Sequence, residues 1–172
     1  MVSGKYFKQL RRKPAMDAKG ASIAAAFVVV CLLAGAIGSF FTFPSITGWY
    51  AGLNKPFFSP PNWVFGPVWT ILYIMMGIAA YLVFMERQTH ENRGAMAAFA
   101  AQLILNVLWS VLFFGMRSPL YSLLCIAALL VSIAITIKEF MKISRTAGLL
   151  LIPYIAWVSF AALLNAAVFL LN

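Results

Sequence analysis

The chain has 172 residues, of which 63% are hydrophobic and only 10% charged, whereas a soluble domain carries roughly 45 to 50% apolar and about 25% charged residues. A water-soluble fold is excluded. The net charge of +9 would suit a nucleic-acid partner if it were spread over one surface, but its placement along the chain excludes that reading as well.

The chain opens with a basic tail over residues 1–20, which holds Lys5, Lys8, Arg11, Arg12, Lys13 and Lys19. A cluster of this kind ahead of an apolar segment is the positive-inside pattern, and it also suits anionic lipid. Five apolar segments follow, at 21–43, 64–85, 94–115, 119–137 and 147–171, each close to the roughly 20 residues that carry a helix across the bilayer. None alternates apolar with polar residues as a membrane strand does. The predicted fold is an all-α integral membrane protein, a bundle of five transmembrane helices over residues 21–172. The first segment is too long for a signal-peptide core and has no small-residue cleavage site after it, so it is expected to be retained.

Counted by side of the membrane, eleven of the 13 Lys and Arg residues fall in the tail, in the second connection (Arg87, Arg93) and in the fourth (Lys138, Lys142, Arg145). The other side has only Lys55 and Arg117. This predicts a cytoplasmic N-terminus and a C-terminus on the opposite side, in a bacterial-type plasma membrane. Cys31 and Cys125 both lie within spans, with no metal-ligand spacing, and read as small buried hydrophobes.

The connection between the first two spans is dense in aromatic residues and proline. Four prolines, Pro44, Pro56, Pro60 and Pro61, forbid one continuous helix, while Trp49, Tyr50 and Trp63 suit the membrane interface. A long connection of this composition is expected to be an ordered lid rather than a tether.

Polar and aromatic residues then recur at helical spacing. The second span sets Phe65, Trp69, Tyr73 and Gly77 four apart. The third places Gln102, Asn106, Trp109, Ser110 and Phe113 on one face, and the fifth does the same with Tyr154, Trp157, Ala161 and Asn165, just after Pro153. The amides could serve only to bond one helix to another. Three such stripes meeting an aromatic lid also suit a pocket for a flat, largely apolar ligand with a few polar edges. Gly94, Ala97, Ala98 and Ala101 form a small-residue stripe on the third span that predicts a homodimer contact, with Ala34 and Gly38 on the first span as a rival.

The spans carry no acid or base. Asp17, Glu86, Glu91 and Glu139 lie in the tail or at helix ends, and the one histidine, His90, lies in a polar connection. No carboxylate pair, Ser-His dyad or metal-ligand set can assemble inside the membrane. Neither a metal nor a resident cofactor is expected.

Read together, Trp49-Tyr50, Leu53-Asn-Lys-Pro56, Pro60-Pro61, Trp63-Val-Phe-Gly-Pro-Val-Trp69, Leu72-Tyr73 and Met76-Gly77 resemble the tryptophan-rich sensory protein family, also called translocator protein or peripheral benzodiazepine receptor. Gln102, Leu105-Asn106, Trp109-Ser110, Phe113-Phe114-Gly115, Pro153-Tyr154, Trp157, Phe160 and Leu164-Asn165 continue the resemblance through the third and fifth spans. It implies a five-helix bundle, commonly a homodimer, that binds porphyrins such as protoporphyrin IX and, in many members, sterols or synthetic benzodiazepine-type ligands. Some bacterial members are described as breaking down protoporphyrin IX in light and oxygen.

By position, the resemblance implies a pocket of Tyr50, Phe65, Trp69, Asn106, Trp109, Ser110, Trp157 and Ala161, to which the second-span stripe adds Tyr73. Trp69 and Trp157 would be the pair tied to porphyrin chemistry. Ser59 and Asn62 stand where animal members carry histidines, Phe58 replaces a tryptophan, and Cys125 occupies a position that is often acidic. Residues 166–172 lack the Tyr and the Arg or Lys of a C-terminal cholesterol motif. A porphyrin receptor, sensor or carrier is the first expectation, and an oxidative enzyme using the two indoles is the alternative.

Overall fold

The computed structural model describes residues 18–86 and 90–172, with the side chains of His90 and Glu91 excepted. Most of the basic tail, Arg87 and the His90 side chain therefore lie outside the described residues. Helix α1 runs Ala18–Ile46, a 3-10 turn covers Trp49–Gly52, and α2 runs Asn62–Met85. Helix α3 runs His90–Ser110 and continues as a π-helical segment, Val111–Gly115; then come α4 (Pro119–Ile143), α5 (Arg145–Leu150) and α6 (Ile152–Leu171). Among the described residues, five paths are long and apolar enough to cross a membrane, with α5 and α6 forming one of them.

The expected spans all exist, and their ends shift for identifiable reasons. Helix α1 runs past Pro44, which sits in its last turn and leaves one backbone bond of that turn unmade. Helix α4 extends to Ile143, beyond the expected end at residue 137. Its extra turns hold Glu139 and Lys142, an exposed pair with Nζ and Oε1 2.7 Å apart, so the helix leaves the apolar layer without stopping. The last span breaks at Leu151, because Pro153 at the start of α6 cannot donate a backbone hydrogen bond into the preceding turn. Ser144 caps α5 by accepting from the Ala147 amide.

The helices form a ring in the order α1, α2, α5 with α6, α4 and α3. Helix α1 packs along α2 and α3, α3 along α4, and α4 along α5 and α6, while α2 closes the ring on α5. The core is centred on α2 and α4, with Met76, Ala79, Ala80, Val83, Ile133 and Phe140 fully buried. The outward faces remain apolar, as Val30, Leu33, Ile37 and Phe40 on α1 illustrate, because lipid rather than water meets them.

Helix α1 approaches its neighbours closely at two glycines. A Cβ on Gly35 would overlap the Tyr73 ring, and one on Gly38 would stand 3.0 Å from Ser110 Oγ. Gly38 and Ala34 are buried inside the bundle, so the rival dimer stripe on α1 is consumed by intrachain packing. On α3, Gly94, Ala97 and Ala101 face outward.

Candidate ligand-binding site

A cavity of about 560 Å³ opens between α1, α2, α3 and the Trp49–Gly52 turn. Its volume lies in the roughly 300 to 1,000 Å³ range of small-molecule sites. Seven of the expected residues line it: Tyr50, Phe65, Trp69, Tyr73, Asn106, Trp109 and Ser110. Among the described residues no acid, base or histidine lines it.

Trp157 and Ala161 are placed elsewhere. Ala161 is packed in the core. Trp157 lines a second recess of about 670 Å³ on the outer side of α2 and α6, with Val68, Leu72, Pro153 and Phe160. Phe65 links the two spaces, since it lines the cavity and packs edge-on against Trp157 at 5.8 Å between centroids. Trp69 and Trp157 therefore line neighbouring spaces rather than one, with Phe65 between them.

The cavity wall is an aromatic box with fixed orientations. The Trp69 ring lies 5.5 Å from Tyr73 and 6.3 Å from Tyr154. The Trp109 ring stacks on Phe113 at 5.2 Å and 18°, and meets Phe114 edge-on. The π-helical segment makes this cluster, since Met116 N–H reaches the Val111 carbonyl at 2.8 Å. The extra residue in that turn brings Phe113 and Phe114 within 4.8 Å of each other. Tyr50 then packs its ring against both.

The polar groups are largely committed within the bundle. Trp109 Nε1 donates to Asn165 Oδ1 at 3.0 Å, and Asn165 Nδ2 donates to the Pro119 carbonyl at 2.8 Å. Asn165 is therefore a strut between α3, α4 and α6. Tyr73 Oη donates to Asn106 Oδ1 at 2.6 Å, Asn106 Nδ2 to Tyr154 Oη at 3.0 Å, and Tyr154 Oη to Gln102 Oε1 at 2.8 Å. Among the described residues, two buried side-chain nitrogens have no protein partner, Gln102 Nε2 and Trp157 Nε1.

The connection between α1 and α2 is bonded to the end of the last helix. Asn54 N–H donates to Asn172 Oδ1 at 3.0 Å, and Asn172 Nδ2 returns a bond to the Asn54 carbonyl at 3.1 Å, clasping the lid to the end of α6. Lys55 places its ammonium 4.9 Å from the centre of the Tyr50 ring. Burial pushes the Tyr50 phenol above its ordinary value, against a smaller opposing effect from its hydrogen bond with Ser59.

Two groups of lining residues escaped the sequence reading. Helix α1 contributes Gly35, Gly38, Ser39 and Thr42, of which the sequence singled out only Gly38, as part of the rival dimer stripe. Trp63 also lines the cavity although it is 75% exposed, so it is more than the interface anchor its position suggested.

Five membrane-length helices around an aromatic cavity define a class of all-helical, multi-pass integral membrane proteins. The TspO/MBR family model matches residues 27–171. The chain is 47% identical to the tryptophan-rich protein TspO of Archaeoglobus fulgidus over 86% of this chain and 95% of the relative. It is 45% identical to the protein of the same name from Chlorobaculum tepidum, over 83% and 91%, and 37% identical to the human translocator protein, over 77% and 79%. The chain belongs to the TspO/MBR family.

Proposed function

We propose that this membrane protein is a receptor or carrier for a porphyrin-like tetrapyrrole, held in the cavity between α1, α2 and α3. The observation that carries the reading is the cavity wall itself: indole, phenol and phenyl rings in fixed orientations, a few amide and hydroxyl edges, and no acid, base or histidine among the described residues. Such a wall suits stacking on a flat conjugated ring. It offers no proton donor or acceptor for acid-base chemistry. Titration of the purified protein with protoporphyrin IX, followed by tryptophan fluorescence, is expected to give saturable quenching. Quenching that rises linearly without saturation overturns the reading.

Trp69 on the cavity wall favours a second activity at the same place, light- and oxygen-dependent porphyrin degradation with an indole as electron donor. Trp157 could take part only through Phe65. Illumination in air and under argon distinguishes the two: degradation bleaches the bound porphyrin in air alone, whereas a receptor leaves it intact in both.

The reading also includes a homodimer through the exposed small residues of α3, and an N-terminus in the cytoplasm of a bacterial-type cell. An impermeant thiol reagent applied to whole cells is expected to label a cysteine placed at position 55 and not one at position 90. The reverse pattern overturns the orientation.

A further inference from the structure

The chain of hydrogen bonds from Tyr73 through Asn106 and Tyr154 to Gln102 has a direction. Each member donates away from the cavity, so the Tyr73 proton is spent on Asn106 and Tyr73 can offer a ligand only its lone pair. Tyr73 and Asn106 line the cavity, whereas Tyr154 and Gln102 are each 1% exposed and lie behind it. At the far end Gln102 Nε2 is buried without an acceptor.

An amide presents its oxygen and nitrogen in nearly the same shape, so turning both amides over reverses every bond while the side chains stay in place. Gln102 Nε2 then donates to Tyr154, Tyr154 donates to Asn106 Oδ1, and Asn106 Nδ2 donates to Tyr73 Oη. The Tyr73 proton is released toward the cavity, and the unpaired atom becomes Gln102 Oε1. Both directions keep three bonds and leave one Gln102 atom without a partner.

We propose that Gln102 is a specificity-determining positioning residue, which keeps this chain reversible and so lets Tyr73 meet either a hydrogen-bond donor or an acceptor on the ligand. A side chain at position 102 that cannot donate and accepts at most weakly, as the thioether of methionine does, removes the choice. The original direction would strand the Tyr154 hydroxyl proton in the core, so the chain locks in reverse and Tyr73 becomes a fixed donor. The inference rests on the cavity being the ligand site.

Two flat tricyclic probes read the direction, carbazole with its N–H donor and fluorenone with its carbonyl acceptor. Their affinities are measured by fluorescence for wild type, Gln102→Met, Tyr154→Phe and the double variant. In Gln102→Met the ratio of affinities is expected to move about fivefold or more toward fluorenone, the worth of one hydrogen bond. Tyr154→Phe cuts the chain, so adding Gln102→Met to it leaves the ratio unchanged. A purely structural role for Gln102 weakens both probes alike.

A ratio within about twofold of wild type in Gln102→Met, or an equal shift in the Tyr154→Phe background, overturns the proposal. Should Gln102→Met fail to fold, Gln102→Glu retains an acceptor at the chain end. Its ratio stays at the wild-type value or moves toward carbazole, and a move toward fluorenone overturns the proposal. If neither probe binds wild type the proposal also falls, while saturable porphyrin quenching in the same preparation leaves the receptor reading standing.

Discussion

The cavity between α1, α2 and α3 and the recess between α2 and α6 are both lined by aromatic rings. They differ in what accompanies the rings. The cavity wall carries amides, hydroxyls and a lid, whereas the recess is apolar apart from one indole nitrogen that finds no partner. Aromatic density in a membrane bundle therefore marks packing and lipid contact as readily as binding. Polar edges held in place by hydrogen bonds between helices, as Asn106 and Trp109 are, are what give the cavity directional contacts that the recess lacks.

Filling each space in turn tests this comparison with the largest effect. Ser39→Trp places an indole in the cavity and is expected to weaken protoporphyrin IX binding about a hundredfold or more. Ala156→Trp, on the exposed rim of the recess, leaves binding within about twofold. Titration by fluorescence quenching checks both, and equal losses would merge the two spaces into one site.

Replacing single indoles sharpens the contrast at smaller magnitude. Trp69→Phe keeps a stacking ring and is expected to weaken porphyrin binding by up to about tenfold, while Trp157→Phe leaves it unchanged. Stability should separate in another pattern. Trp109→Phe removes the bond to Asn165 and is expected to cost about 1 kcal/mol. Trp157→Phe deletes a buried donor that has no partner, so its stability stays close to wild type. Thermal unfolding in detergent measures both changes.

The smallest effects concern the lid. Asn172→Ala removes the clasp on Asn54, and since these bonds are exposed it should raise the porphyrin dissociation rate only about twofold, measured by stopped-flow displacement. The affinity of an uncharged probe should stay flat from about pH 6 to pH 9, because among the described residues no acid, base or histidine lines the cavity. The Tyr50 value is raised in the folded protein, so its neutral form stabilises the closed lid fully below the ordinary phenol range near pH 10. That contribution is lost as pH rises through the higher folded value. A loss of affinity below pH 9 would contradict this assignment.

The sequence by itself determined the five spans and seven of the twenty residues of the cavity wall. Apolar runs near 20 residues admit one structure in lipid, since each helix satisfies its own backbone. The stripes of Trp69 and Tyr73 and of Asn106, Trp109 and Ser110 repeat at the helical period, so their shared faces were legible without tertiary contacts. Periodicity says which residues share a face but not which neighbour that face meets. Only the ring order of the helices and the rotation of α6 decided that Trp157 and Ala161 leave the cavity while Gly35, Ser39 and Thr42 of α1 enter it. Likewise Gln102, Asn106 and Asn165 read as equivalent buried amides. Tertiary packing alone assigned Asn165 to a strut beneath Trp109 and joined the other two through Tyr154 into a chain that ends on the cavity wall, because a buried hydrogen bond depends on which partner packing brings within about 3 Å.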